Sequence, residues 1–264
     1  MNNLKDKVVL ITGATGILGS YYCENLVKEG ARLFLSDIES RKPLEFAQHL
    51  SEKYNTEVHG FVTDLCSEKD IERLVADVEK HTDRLDALVN NAAATGEYLL
   101  QFGNVFESFE EYPLSLWEKV IAINLTAPFL LIQKSMKLLK KSEAHSIVNV
   151  ASIYGEVAPD HRIYEGEEFS SFISYSASKA GIHGITLWLS SYLNQYNGRI
   201  NTIYPGGVNS IQSDNFKEKY CNRVPLGRMA EPADLYPMLR LLVSDDSKYM
   251  TGQKFFVDGG LTSW

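Results

Sequence analysis

The sequence is poor in cysteine. Cys23, Cys66 and Cys221 are too few and too widely spaced for a disulfide framework or a zinc ligand set. No metal is expected, and a reducing cytoplasm is the natural setting. Long apolar runs are also missing, so no stretch reads as a bilayer span. Residues 1–7 lead almost directly into a strand pattern, with no signal-peptide apolar region. Positive charge is in deficit. A net charge of -8 argues against nucleic acid as a partner and gives no reason to expect an anionic membrane. Internal repeats, low-complexity tracts and linkers are absent. What is present is 44% apolar residues in a 264-residue chain, enough for a sizeable α/β core.

Short β-rich apolar runs recur at 7–11, 32–36, 58–62, 85–89, 146–150, 199–204 and 254–257. Helical patterns alternate with them, to about 29, then over 67–81, 114–141, 174–196 and 231–244. Ser67 and Asp70 approximate a capping box for the second of these. The stretch 209–222 reads as polar and mobile-looking, and 95–113 as a long aromatic segment (Tyr98, Phe102, Phe106, Phe109, Tyr112) over one end of a sheet. Strand and helix alternating throughout predict one doubly wound α/β domain spanning 1–264.

The first strand ends in Thr12-Gly13-Ala14-Thr15-Gly16-Ile17-Leu18-Gly19 and a helix follows at once. A plain tight turn also uses glycine. Strand, glycine turn and helix in immediate succession favour a dinucleotide, whose pyrophosphate lies against the helix N-terminus. Asp37 ends the second strand, about 20 residues on. There a carboxylate accepts from ribose hydroxyls and repels a 2′-phosphate, although Arg41 stands nearby. Asn90-Asn91-Ala92-Ala93 closes the fourth strand with small residues suited to nucleotide contact. Pro128 interrupts the 114–141 helix. It has no N–H for the carbonyl four residues back, which belongs to Asn124. Ser152 leaves the fifth strand at the ligand-binding edge of such sheets. Tyr175 and Lys179 lie four apart on a helix, so the ammonium can sit near the phenol. A nearby cation favours the phenolate, and this predicts a tyrosine lowered from its ordinary value near 10.

Together these pieces make the chain similar to the single-domain short-chain dehydrogenase/reductase family. Further matches are Asp64, Pro205-Gly206, Pro225-Leu226-Gly227-Arg228, Thr251-Gly252-Gln253 and Val257-Asp258-Gly259-Gly260. The resemblance implies a Rossmann fold with a mostly parallel seven-stranded sheet. It implies Tyr175 as general acid/base, Lys179 as ribose ligand and pKa perturbant, and Ser152 as the substrate-oxygen ligand. Asn124 would hold a water on a proton relay. It places the cofactor on Gly13, Thr15, Gly16, Ile17, Leu18, Gly19, Asp37, Asp64, Leu65, Asn91, Ala92, Tyr175, Lys179, Pro205, Gly206, Val208 and Ser210. It also implies a homodimer or homotetramer.

Three departures stand out. Ile17 replaces a usual glycine. The Asn91–Asn124 and Ser152–Tyr175 spans are extended, giving insertions near 95–113 and 154–173 on the substrate side. The second carries Arg162, Tyr164, Glu165, Glu167 and Glu168, a set that suits hydroxyls. It resembles the insert of members linked to bacterial surface-glycan and flagellin modification. The expected function is an NAD(H)-dependent oxidoreductase interconverting a secondary alcohol and a ketone, on a sugar or sugar nucleotide. The alternatives are a 3-oxoacyl-thioester reductase and a catalytically silent dinucleotide-binding regulator. Asp37 predicts NAD over NADP by more than about tenfold, or roughly 1.4 kcal/mol. Steady-state kinetics with both reduced cofactors checks this, and equal use of the two would refute it.

Overall fold

The computed structural model describes residues 4–100, 108–167 and 170–264. Seven strands form one sheet: β1 (Val8–Thr12), β2 (Arg32–Asp37), β3 (Val58–Val62), β4 (Ala87–Asn90), β5 (Ser146–Val150), β6 (Arg199–Pro205) and β7 (Lys254–Val257). Their order is β3-β2-β1-β4-β5-β6-β7. Every pairing is parallel, where a mostly parallel sheet was expected. Alternate residues face opposite sides of a strand, and β1 displays both cores. Val9 and Ile11 join Leu33 and Leu35 against α1 (Ile17–Lys28), α2 (Pro43–Tyr54) and α9 (Pro232–Val243), through Tyr22, Leu26, Leu50, Leu235 and Leu239. Val8 and Leu10 join Phe34, Leu88 and Ile147 against α3 (Glu68–Glu79) and α6 (Ala127–Leu139), through Ile71, Leu74 and Leu131. Ile185 and Leu189 of α7 (Ile173–Tyr192) pack on the same side. Burial on both faces explains why the central strands are continuously apolar.

The helix expected over 114–141 is divided. α5 (Leu114–Ile121) passes into one π-turn, Ala122–Thr126, and then into α6, with Pro128 in its first turn. The irregularity falls where Pro128 withholds its hydrogen bond. The whole run Leu114–Leu139 is long and apolar enough to span a bilayer by length and composition, contrary to the sequence reading. Here it buries Leu116, Val120, Leu131, Ile132 and Leu138 inside the fold. Three helices were not foreseen. The longer two are α2 and α8 (Asp214–Cys221), the latter inside the stretch read as polar and mobile-looking, and the third is short. Ser213 caps α8 by accepting from the Phe216 N–H, and Phe216 and Tyr220 bury one face of it. Ser67 caps α3 through the Asp70 N–H, and a reciprocal capping box stands instead at Glu231 and Asp234. Within 95–113, Gly96–Leu100 forms a short helix, α4, and Phe109 is exposed. Phe102 and Phe106 lie outside the described residues.

At the opposite end of the sheet from the strand C-termini, the buried Arg199 guanidinium closes the end of α9. It donates to Ser247 Oγ at 3.0 Å and to the Leu242 carbonyl at 3.2 Å, and also reaches the Ser244 and Ala144 carbonyls. A cation suits a helix C-terminus, and its loss would strand buried carbonyls. Arg199→Met should therefore lower unfolding stability by about 3 kcal/mol in urea titration. A loss below about 0.5 kcal/mol would contradict this role.

Candidate active site

A cavity of about 770 Å³ runs along the C-terminal ends of the strands. It opens where β1 and β4 are neighbours and the chain leaves them in opposite directions, the usual ligand crevice of such sheets. Asp37, Arg41, Asp64 and Leu65 line one end, and Ser152, Tyr175, Lys179, Pro205, Gly206, Val208 and Ser210 the other. Gly13, Gly16, Ile17, Leu18, Gly19, Asn91 and Ala92 lie between. Among the catalytic and cofactor residues expected from sequence, Thr15 and Asn124 stand behind this wall and the others on it.

The glycine turn is locked to the end of β4. Gly13 has φ 64°, and a Cβ there would come 2.6 Å from Ala92 Cα. Asn91 Nδ2 donates to the Thr12 and Gly13 carbonyls at 3.1 and 3.0 Å. Gly16 is the N-cap of α1 and places no side chain over the helix end. The first N–H groups of α1 therefore face the cavity, ready for an anion. This cradle fits a dinucleotide pyrophosphate. Thr15 gives both its N–H (3.0 Å) and its hydroxyl (2.7 Å) to Asp37 Oδ2, and the Ile38 N–H donates to Oδ1 at 2.9 Å. The Asp37 carboxylate is thus held rigidly at the cavity's edge, with lone pairs left for further donors. Asp64 accepts from the Cys66 N–H at 2.9 Å.

At the other end, Lys179 is 2% exposed and donates from Nζ to the Val150 carbonyl at 2.8 Å. Burial pushes its ammonium down to about 8. Nζ lies 5.6 Å from the centre of the Tyr175 ring. Burial pushes the Tyr175 phenol above its ordinary 10, and a hydrogen bond with Ser152 opposes the rise. This corrects the expectation of a phenol lowered by Lys179. Desolvation of the buried phenol outweighs the Ser152 hydrogen bond, and the Lys179 ammonium is engaged by the Val150 carbonyl.

Ser152 leads β5 into the 3₁₀ turn Ile153–Gly155, its Oγ accepting from the Tyr154 N–H at 3.2 Å. Gly155 presses this turn onto α7, where a Cβ would fall 2.7 Å from the Lys179 carbonyl carbon. The Ser152-x-x-Gly155 spacing was the available signal for this contact, and sequence reasoning passed over it. Asn124 is buried in the π-turn. Its Oδ1 accepts from the Ala94 N–H at 2.7 Å, and its Nδ2 donates to the Ala94 carbonyl (3.4 Å) and Ser178 Oγ (3.2 Å). It therefore ties the exit of β4 to α7 beside Lys179.

The insert behaves differently from expectation. Arg162 forks onto Asp160 with both contacts at 2.8 Å. Glu167 accepts from Ser213 Oγ at 2.6 Å and Asn215 Nδ2 at 2.9 Å, while Lys219 Nζ donates to the Glu165 carbonyl at 2.9 Å. None of Arg162, Glu165 and Glu167 lines the cavity. Arg162 and Glu167 find partners at the outer surface, on Asp160 and at the start of α8, without the cost of desolvation in the cleft. Glu168 and Phe169 lie outside the described residues. From the insert, Tyr164 and Phe172 do reach the cavity, joined by Tyr98, Tyr154, Phe216 and Tyr220. Phe216 and Tyr220 were signalled by the Ser213 cap followed by aromatics four apart, and Tyr154 by its place two residues past Ser152.

A parallel sheet that aims an uncapped helix end and a buried tyrosine–lysine pair into one cleft is the frame of a nicotinamide-dinucleotide oxidoreductase. Comparison with known proteins agrees. The family model described as enoyl-(acyl carrier protein) reductase matches residues 13–262. A 3-oxoacyl-(acyl-carrier-protein) reductase of Aquifex aeolicus is 30% identical over 98% of both chains. Post-translational flagellin modification protein A of Campylobacter coli is 28% identical over 97% of this chain and 98% of its own. Among solved structures, a short chain dehydrogenase of Leptospira borgpetersenii with bound NAD+ superposes with TM-score 0.83 at 33% identity, over 98% of this chain and 93% of that one. The chain belongs to the short-chain dehydrogenase/reductase family, and is an NAD(P)-dependent oxidoreductase acting on CH–OH groups.

Gly155→Ala tests how the turn and α7 are fitted. The added methyl must push Ser152 away from Tyr175 or the turn away from Lys179, so kcat/KM should fall at least about tenfold. Activity within about twofold of the unmodified protein would contradict the fit described.

Proposed function

We propose that the protein interconverts a cyclic secondary alcohol and its ketone, with NAD(H) preferred over NADP(H) and a sugar or sugar nucleotide as substrate. The observation that carries this reading is the convergence of Ser152, Tyr175 and Lys179 at one end of a cleft whose other end is Asp37. Asp37 would hold the adenosine ribose, the glycine turn and the α1 N-terminus the pyrophosphate, and Lys179 the second ribose. The nicotinamide, when bound, supplies or accepts the hydride. Ser152 steadies the substrate oxygen and Tyr175 exchanges the proton with it. As a phenol Tyr175 donates in ketone reduction and as a phenolate it accepts in alcohol oxidation, so one side chain serves both directions. Asn124 acts from behind the wall, holding α7 and the water that returns a proton to Lys179.

Support for a ring substrate comes from the aromatic wall of Tyr154, Tyr164, Phe172 and Phe216, against which a ring face can stack. The likeness to the flagellin modification protein points the same way. Arg162, Glu165 and Glu167 lend it no support, since none of them lines the cleft. A 3-oxoacyl thioester is the second reading, carried by the likeness to the Aquifex reductase. The complete Ser152, Tyr175 and Lys179 set speaks against a catalytically silent regulator. We further place the protein in the cytoplasm as a homodimer or homotetramer. Leu187 and Trp188 of α7, Leu114 and Phe129 stand exposed, and Gly184 leaves open space for a close helix approach.

Tyr175→Phe should lower kcat at least about a hundredfold while NADH affinity stays nearly constant, because only the exchangeable proton is lost. Fluorescence titration of NADH and turnover with sugar ketones and acetoacetyl thioesters measure the two. Turnover within about threefold of the unmodified enzyme would overturn the acid/base role.

A further inference from the structure

Beside Ser152 the wall carries two more phenols. Tyr154 follows two residues later, and its N–H donates to Ser152 Oγ, so the catalytic turn itself places this ring. Tyr164 arrives from the insert, and its hydroxyl donates to the Tyr154 hydroxyl at 3.3 Å. Both rings line the cavity with Tyr175. The pair is built in rather than loose. The Tyr164 ring packs at 5.3 Å from that of Phe216, and Ile153, Ile163, Phe216 and Tyr220 close the space behind. Glu167 bonds Ser213 and Asn215, and Lys219 bonds the Glu165 carbonyl, which fixes the segment carrying Tyr164 to α8.

A hydroxyl that accepts one hydrogen bond still has its own proton to donate. Tyr154 therefore keeps a donor of its own on the cavity wall, two residues past the oxygen ligand Ser152. An apolar ring would be served as well by phenylalanine at both positions, and desolvating two phenols against it would cost affinity. A substrate with a second oxygen close to the reacting one turns that cost into a bond.

We propose that Tyr154 and Tyr164 form a subsite for a hydroxyl on the carbon next to the reacting carbon, so that the substrates are α-hydroxyketones and the corresponding vicinal diols. The proposal deepens the oxidoreductase reading above and rests on it. Tyr154 and Tyr164 act here as specificity residues, whereas the proton transfer remains with Tyr175.

The test compares 2-hydroxycyclohexanone with cyclohexanone as NADH-dependent substrates for the unmodified enzyme, Tyr154→Phe and Tyr164→Phe. The unmodified enzyme should favour the hydroxyketone, and each variant should reduce the ratio of the two kcat/KM values about three- to tenfold, the effect of one hydrogen bond. NADH affinity and thermal melting check that the variants keep the cleft. A ratio that stays constant in both folded variants overturns the subsite. If NADH binds and neither ketone is reduced, the oxidoreductase reading is what fails for these compounds. The subsite is then judged by binding alone, using trans-1,2-cyclohexanediol and cyclohexanol titrated against NAD+-loaded protein. Tighter diol binding that is lost in Tyr154→Phe supports the subsite, and equal affinities for both alcohols overturn it.

Discussion

One buried ammonium sets the terms for the active end of this protein. An unpaired charge inside a protein is expensive, and the Val150 carbonyl, at the end of β5, is the partner that makes Lys179 tolerable there. That bond needs α7 drawn tightly against the exit of β5, and the consequences spread outward. Gly155 is bare because the Lys179 backbone occupies the place of its Cβ. Asn124 and Ser178 join α7 to the exit of β4. The π-turn at Asn124 is the local irregularity that Pro128 permits, and turns of this kind recur at functional sites. Tyr175, one helical turn before the lysine, then has nowhere to point except into the cleft beside Ser152.

The two ends of the cleft are rigid for different reasons. At the nucleotide end a carboxylate is fixed by a threonine of the glycine turn, so the end of β2 and the start of α1 move as one piece. At the substrate end the rigidity comes from packing. The insert and α8 share an apolar cluster of Ile153, Ile163, Phe216, Tyr220 and Val224, with polar ties around its rim. A longer span between Ser152 and Tyr175 thus becomes a wall of rings rather than a fringe of charges.

Much of this was legible in the sequence because its causes are local. Seven apolar runs of the right length became seven strands, and the glycine turn, Asp37, Ser152, Tyr175 and Lys179 sat at strand ends or at helical spacing. What escaped depends on partners distant in sequence. α2 and α8 are polar on average, and their buried faces make sense only against the sheet and the insert. The absence of Arg162 and Glu167 from the cleft was not readable, since their side chains are held by Asp160 and by the start of α8. The Tyr175 phenol was misjudged because spacing gives proximity and says nothing of burial, which here raises the phenol and lowers the lysine.

The most direct test of the account is isotope transfer. NADH deuterated at the reactive nicotinamide carbon would be incubated with the protein and a set of cyclic ketones, α-hydroxyketones and acetoacetyl thioesters, and the products read by mass and NMR spectra. The account predicts one deuterium on the new carbinol carbon, on one stereochemical face, with a cyclic substrate. Saturable NADH binding with no deuterium delivered to any carbonyl in the set would contradict it.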